Sequence, residues 1–214
     1  MDTIGSQFSR NRLHRDLINT MSANTALSNI KKLIPLSEAD CDLIDRTWRR
    51  VKLTKKENLF ERGEITKDAA LVISGCLRSF SIDENGFEHI MQFAPTNWWI
   101  TDMYSFISQK PGDLSVQAIM DSEVVLLSRK DQLMLFDKIP ALERYFRILT
   151  ENSLVAYRQR LIDNLSLSAK QRYANFCQTF PTLINEVPQK LIAAYIGVTP
   201  EFLSKMRSEY LRNS

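Results

Sequence analysis

The segment QKLIAAYIGVTPEFLSKMRS, Gln189 to Ser208, decides how the rest of the chain is read. Pro188 suits the first turn of a helix, where its missing N–H is no loss. Leu191, Ile192, Tyr195 and Ile196 recur at helical spacing, and Gly197 follows where a left-handed residue ends a helix at little cost. Thr199 is a cap for a second helix with Pro200 in its first position, and Leu203, Met206 and Tyr210 give that helix an apolar stripe. This is a helix-turn-helix pattern. Ala193 lies four residues before Gly197 and lets two helices cross closely; Leu203 lies six after it and plugs the angle. Ile192, Ile196 and Val198 fill the remaining interior.

A helix-turn-helix sets its second helix in the DNA major groove, with the N-terminal residues towards base edges. Glu201, Phe202, Ser204, Lys205 and Ser208 are then the outward set, with Gln189 and Thr199 nearer phosphates. Glu201 can accept from a cytosine amino group, Lys205 can donate to guanine, and Phe202 can touch a thymine methyl. The competing reading is a helical hairpin that binds protein, in a regulatory or scaffolding module.

Upstream, no Gly or Pro occurs between Pro140 and Pro181. Ala141 to about Leu165 therefore reads as a helix roughly 37 Å long at ~1.5 Å per residue. Its stripe runs Leu142, Tyr145, Phe146, Leu149, then shifts to Leu154, Tyr157, Leu161, Leu165, so its halves should meet different neighbours. The first half is too apolar for one small domain to satisfy, which makes Leu142, Tyr145, Leu149 and Ala156 the expected seam of a homodimer. Ser168-Ala169-Lys170-Gln171 is a capping box for the next helix.

Between Val51 and Ser128 the rhythm is that of short strands: 51–53, 58–60, 69–74, 76–80, 88–93, 114–118 and 124–128. Asn85-Gly86 is the strongest hairpin signal among their turns. The expected fold is α+β: an N-terminal antiparallel, jelly-roll-like β-roll, a long dimerisation helix and a C-terminal all-α helix-turn-helix domain. The expected divisions are an extension at 1–25, a roll at 26–140, the helix at 141–165 and the tail domain at 166–214.

Composition is permissive. The 214 residues are 44% hydrophobic and 25% charged, ordinary for a globular protein. Net charge is +3 overall, yet residues 1–140 hold 18 Lys+Arg against 19 Asp+Glu, and residues 141–214 hold 10 against 6. The basic excess thus sits in the last third, beside the helix-turn-helix, and hints at a polyanion. No apolar run is long enough to span a membrane, the first twenty residues do not read as a secretory signal, and three widely spaced cysteines read as free thiols. The expectation is a cytoplasmic protein.

The order of parts resembles the Crp/Fnr superfamily of bacterial transcription regulators. The resemblance is carried by NLFERGE (58–64), LVISGCLRSF (71–80), the segment from Trp98-Trp99 to Phe106, and SEVVLLS (122–128). IPALERYFRIL (139–149), LSLSAKQRY (165–173) and VPQKLIAAYIGVTPEFLSKMR (187–207) extend it, the last two most like the short-tailed branch common in Bacteroidetes. It implies a cyclic-nucleotide-binding-like roll, and double-stranded DNA, a second copy of the chain and RNA polymerase as partners, with a small-molecule effector left open. Residues matching Glu201 and Lys205 contact bases in such proteins, usually as glutamate and arginine; the lysine here lacks the planar fork. Members that bind cyclic nucleotides have a Gly-Glu pair for the ribose, and an arginine with a small hydroxyl residue for the phosphate. Thr101-Asp102-Met103 lacks that glycine and Gly112-Asp113-Leu114-Ser115 lacks the arginine, so cyclic AMP is not an expected ligand. Trp98, Trp99, Asp102 and Tyr104 either surround a flatter, more apolar ligand or belong to the core.

No cofactor or metal is expected. Three cysteines are too few for an iron–sulfur cluster, and His14 and His89 are poorly placed for haem, zinc or a two-histidine-one-carboxylate oxygenase. No phosphate-binding glycine loop or nucleophile elbow occurs, and the chain does not read as an enzyme.

Overall fold

The computed structural model describes residues 26–212, with side chains through Ser208; the 1–25 extension and His14 lie outside the described residues. A helical turn at 26–31 (α1) leads to α2 (Glu38–Thr47), where Ser37 and Asp40 exchange backbone and side-chain hydrogen bonds as a capping box. Eight strands follow: β1 (Arg49–Leu53), β2 (Asn58–Phe60), β3 (Asp68–Ser74), β4 (Cys76–Ile82), β5 (Glu88–Pro95), β6 (Trp99–Ile100), β7 (Ser115–Ala118) and β8 (Ser122–Ser128). The sequence shows seven of these; β6 is two residues long and carries no alternation to read. Between β6 and β7 lies α3 (Met103–Ser108), which ends where Gln109 adopts φ +54°.

The strands form two four-stranded antiparallel sheets, ordered β1-β8-β3-β6 and β2-β7-β4-β5. The β4–β5 hairpin turns at Asp83-Glu84-Asn85-Gly86, with Gly86 at φ +82° and the Asp83 carboxylate accepting from the Asn85 and Phe87 amides. His89 is exposed, and its Nε2 lies 2.9 Å from that same carboxylate. The hydrogen bond to His89 and those from the turn amides hold Asp83 below its ordinary value. Between the sheets lie Leu53, Ala70, Val72, Leu77, Val116, Val124 and Leu126.

Strands β3 and β8 are buried on both faces, which is why their sequences are continuous apolar runs. Leu71, Ile73, Val125 and Leu127 on the outer face pack under α1, α2, α4 (Arg129–Lys138) and the start of α5 (Ala141–Ser166). Leu142 and Tyr145 belong to this cluster and are 2% and 5% exposed. The expectation that they face a second copy is therefore wrong: the first half of α5 is satisfied by its own roll. Periodicity marks an apolar face without saying which neighbour covers it.

The outer face of the second sheet is covered as well. Phe80, Ile90 and Phe93 join Phe176, Phe180, Leu183, Val187, Leu191, Ile192 and Leu203 in one cluster built with α6 (Ala169–Thr179), α7 (Leu183–Glu186), α8 (Gln189–Ile196) and α9 (Pro200–Arg212). Layers thus run helices, sheet, sheet, helices. Cys76 sits in this last interface, and burial pushes its thiol up to about 12, so it packs as a small apolar residue.

Candidate nucleic-acid interface

The expected capping box at Ser168 and Gln171 is formed, and α6 ends at Thr179. Two arginines then fix the C-terminal helices. Arg172 donates to the carbonyls of Leu167 and Ile196 at 2.7 and 2.8 Å, satisfying the ends of α5 and α8 together. Arg160 on α5 donates to the carbonyls of Ile90 and Met91 in the roll and to that of Tyr195 on α8 at 2.8 Å, with its guanidinium 3.9 Å from the Tyr195 ring centre. Burial lowers the Arg160 pKa, opposed by the neighbouring Tyr195 and Tyr157. The sequence singles out neither arginine. Their partners are main-chain carbonyls, which carry no sequence signal.

The turn follows the sequence reading closely. Gly197 has φ +72°, ψ +46° and ends α8, while the Val198 amide donates to the carbonyl of Ala193 at 3.0 Å. The Thr199 hydroxyl accepts from the Phe202 amide at 3.2 Å, closing the N-terminus of α9. Ala193 and Leu203 are fully buried and Met206 half-buried against the same cluster. Glu201, Ser204, Lys205 and Ser208, at i, i+3, i+4 and i+7, share one exposed face. Phe202 beside them is 52% exposed, and Gln189 and Thr199 are also exposed. The Ser208 hydroxyl donates back to the Ser204 carbonyl at 3.0 Å. Among the described residues Lys205 has no ion pair, so its charge is available to a partner. Lys190 on α8, absent from the expected set, is exposed and near enough to Glu88 of β5 to help lower that carboxyl's pKa.

The four residues grouped around a ligand separate. Trp98 and Trp99 line a cleft between roll, α5 and the C-terminal helices. Asp102 and Tyr104 do not. Tyr104 is exposed on α3. Asp102 is 2% exposed and caps α3: one carboxylate oxygen accepts from the Ser105 amide at 3.1 Å, the other from the Asp113 and Leu114 amides at 2.9 and 3.0 Å. Gly112 leaves room for it, since a Cβ there would stand 2.4 Å from that second oxygen. The stretch without an arginine is thus closed by the chain's own anion, held by three backbone N–H groups. Trp99 is anchored by its indole N–H donating to the Tyr145 hydroxyl at 3.0 Å.

Of the expected dimer residues, Leu149 and Ala156 line the same cleft as the two tryptophans. Further along α5 the exposed apolar side chains are Leu154, Val155, Leu161, Ile162 and Leu165, the last 81% exposed.

Residues 50–138 match the model of the cyclic nucleotide-binding domain family. The chain is 23% identical over 192 residues to the fumarate and nitrate reduction regulatory protein of Vibrio cholerae, covering 83% of this chain and 75% of that protein. FixK2 from Bradyrhizobium japonicum superposes with a TM-score of 0.69 at 18% identity, over 78% of this chain and 85% of that one. The catabolite activator protein of Thermus thermophilus does so with 0.53 at 20% identity, over 83% and 85%. No helix among the described residues is long and apolar enough to cross a membrane, and no group of three or more potential metal ligands occurs among them.

Proposed function

We propose that the chain is a transcription regulator of the Crp/Fnr superfamily, acting as a homodimer on a pseudo-palindromic operator; its cyclic nucleotide-binding domain match and its likeness to such regulators support this reading. The observation that carries this is the exposed face of α9: Leu203 is buried while Glu201, Phe202, Ser204, Lys205 and Ser208 are left to solvent. Gln189 and Thr199 flank them for phosphate contact, and Lys190 adds a cation. Binding to the operator is expected to weaken steeply with salt, as displaced counterions return to phosphates. Lys205→Ala should cost about 1–3 kcal/mol on the cognate site and relax preference at one base pair. Operator titrations with single-base variants check this; unchanged affinity and preference would remove Lys205 from the reading face.

Dimerisation uses the second half of α5 in this reading. A partner helix against Leu154, Leu161 and Leu165 would cover the apolar stripe that the chain leaves bare. Light scattering at micromolar concentration should give twice the chain mass, and Leu161→Glu the mass of one chain. A wild-type monomer would sink the dimer.

The roll, on this proposal, does not answer to cyclic AMP. No arginine lies between residues 112 and 115, and the Asp102 carboxylate occupies the amides of Asp113 and Leu114. A phosphate placed there would meet a like charge instead of a cation. RNA polymerase and an effector remain the partners that this likeness suggests.

A further inference from the structure

The cleft lined by Trp98 and Trp99 has a volume of about 460 Å³, within the range of small-molecule sites. Its walls come from three parts of the chain: the β5–β6 turn, the middle of α5, and Thr179, Phe180 and Tyr195 of the C-terminal helices. Six of its fifteen lining residues are aromatic. Trp98 packs on Phe180 at 5.7 Å between ring centres yet leaves 42% of its surface in water. Such a half-covered indole against open apolar volume is a place where an added ring gains contact on both faces.

All but one of the polar side chains there are neutral. Asn152 and Ser153 on α5 line the cleft, and among the described residues neither side chain has a hydrogen-bond partner. No Asp, Glu, Lys or His lines it, and its one ionised wall residue is Arg160. Three of that guanidinium's N–H groups donate to main-chain carbonyls and its face lies over Tyr195, while its Nε is buried with no hydrogen-bond partner. A phosphate or carboxylate entering here would lose its hydration and meet one cation, whose terminal nitrogens already donate to main-chain carbonyls.

We propose that this cleft binds an uncharged, planar aromatic molecule, with the Asn152 amide and the Ser153 hydroxyl supplying hydrogen bonds at its edge. An occupant touches the roll and the C-terminal helices at once, so its affinity depends on how they sit together. Under the DNA-binding reading given above, occupancy and operator affinity are therefore linked.

The test uses the full chain and two dyes that differ by one sulfonate: neutral N-phenyl-1-naphthylamine and anionic 8-anilino-1-naphthalenesulfonate. The neutral dye should bind saturably, one per chain, with blue-shifted emission, and about tenfold more tightly than the anionic one. Ala156→Trp, which fills the cleft from an exposed helical position, should weaken the neutral dye at least about tenfold, as should Trp98→Ala should the first variant fail to fold. No saturable binding, or binding indifferent to these substitutions, overturns the site. Equal or tighter binding of the anionic dye overturns the ligand class. With operator DNA present, the neutral dye's affinity should shift several-fold. An unchanged affinity overturns the linkage, whereas failure to bind DNA at all removes the regulator reading and leaves the dye result standing.

Discussion

Phe93→Ala is expected to destabilise the protein by about 3–5 kcal/mol, the range for truncating a fully buried aromatic. Phe93 on β5 has no exposed surface and lies 6.0 Å from the rings of Phe176 and Phe180 and 5.3 Å from that of Tyr195. The cavity would open between the second sheet and the C-terminal helices, where neither side can collapse without tilting the other. The consequence differs from ordinary core loss. Wild-type protein should melt as one transition; the variant should show the C-terminal helices leaving first. Calorimetry distinguishes the two, and a single transition with a midpoint near wild type would mean that the junction contributes little.

Glu88→Ala is expected to cost about 3 kcal/mol, the low end of the range for stranding a buried charge. Arg78 has a side chain only 5% exposed, reaches Glu88 through two hydrogen bonds of 2.6 and 2.9 Å, and also donates to Gln117. Gln117 remains in the variant, which keeps the loss at the lower end. The hydrogen bonds from Arg78 hold the Glu88 carboxyl below its ordinary 4.5. A depressed carboxyl stabilises the fold above that value and ceases to do so as pH falls through its folded pKa. The gap between wild type and variant, followed by denaturant titration, should therefore be full at neutral pH and narrow as pH falls below 4.5. A gap that widens on acidification would contradict the ion-pair assignment.

What the sequence discloses and what it withholds divide along physical lines. The Asn85-Gly86 turn, the Ser168 box and the Gly197 hinge are local chemistry, and each appears in the structure where its residues announce it. Helix α4 had a local sign too, Ser128 capping onto the Asp131 amide, masked by the strand that runs straight into it. Asp102 shows the opposite case. Its role depends on the amides of Asp113 and Leu114, eleven and twelve residues on, and on a glycine that lets it approach. No pattern in the chain indicates which neutral amides will meet. The dimer seam errs for a related reason: Leu142 and Tyr145 are apolar at the expected spacing, but α2 and α4 complete the cover over them.

The shared cluster of Phe80, Ile90 and Phe93 with the C-terminal helices bears on how the chain is made. A ribosome releases the strands before residues 169–212, at roughly 5–20 residues per second. During that interval the outer face of the second sheet is a greasy, unroofed surface, and the roll is complete in topology but not in cover. The tail, once free, has a finished template to condense upon and needs no independent nucleus. Slowing translation between α5 and α8 would lengthen the life of a nascent chain with an open flank, the stage at which chaperone capture or misassociation competes with maturation.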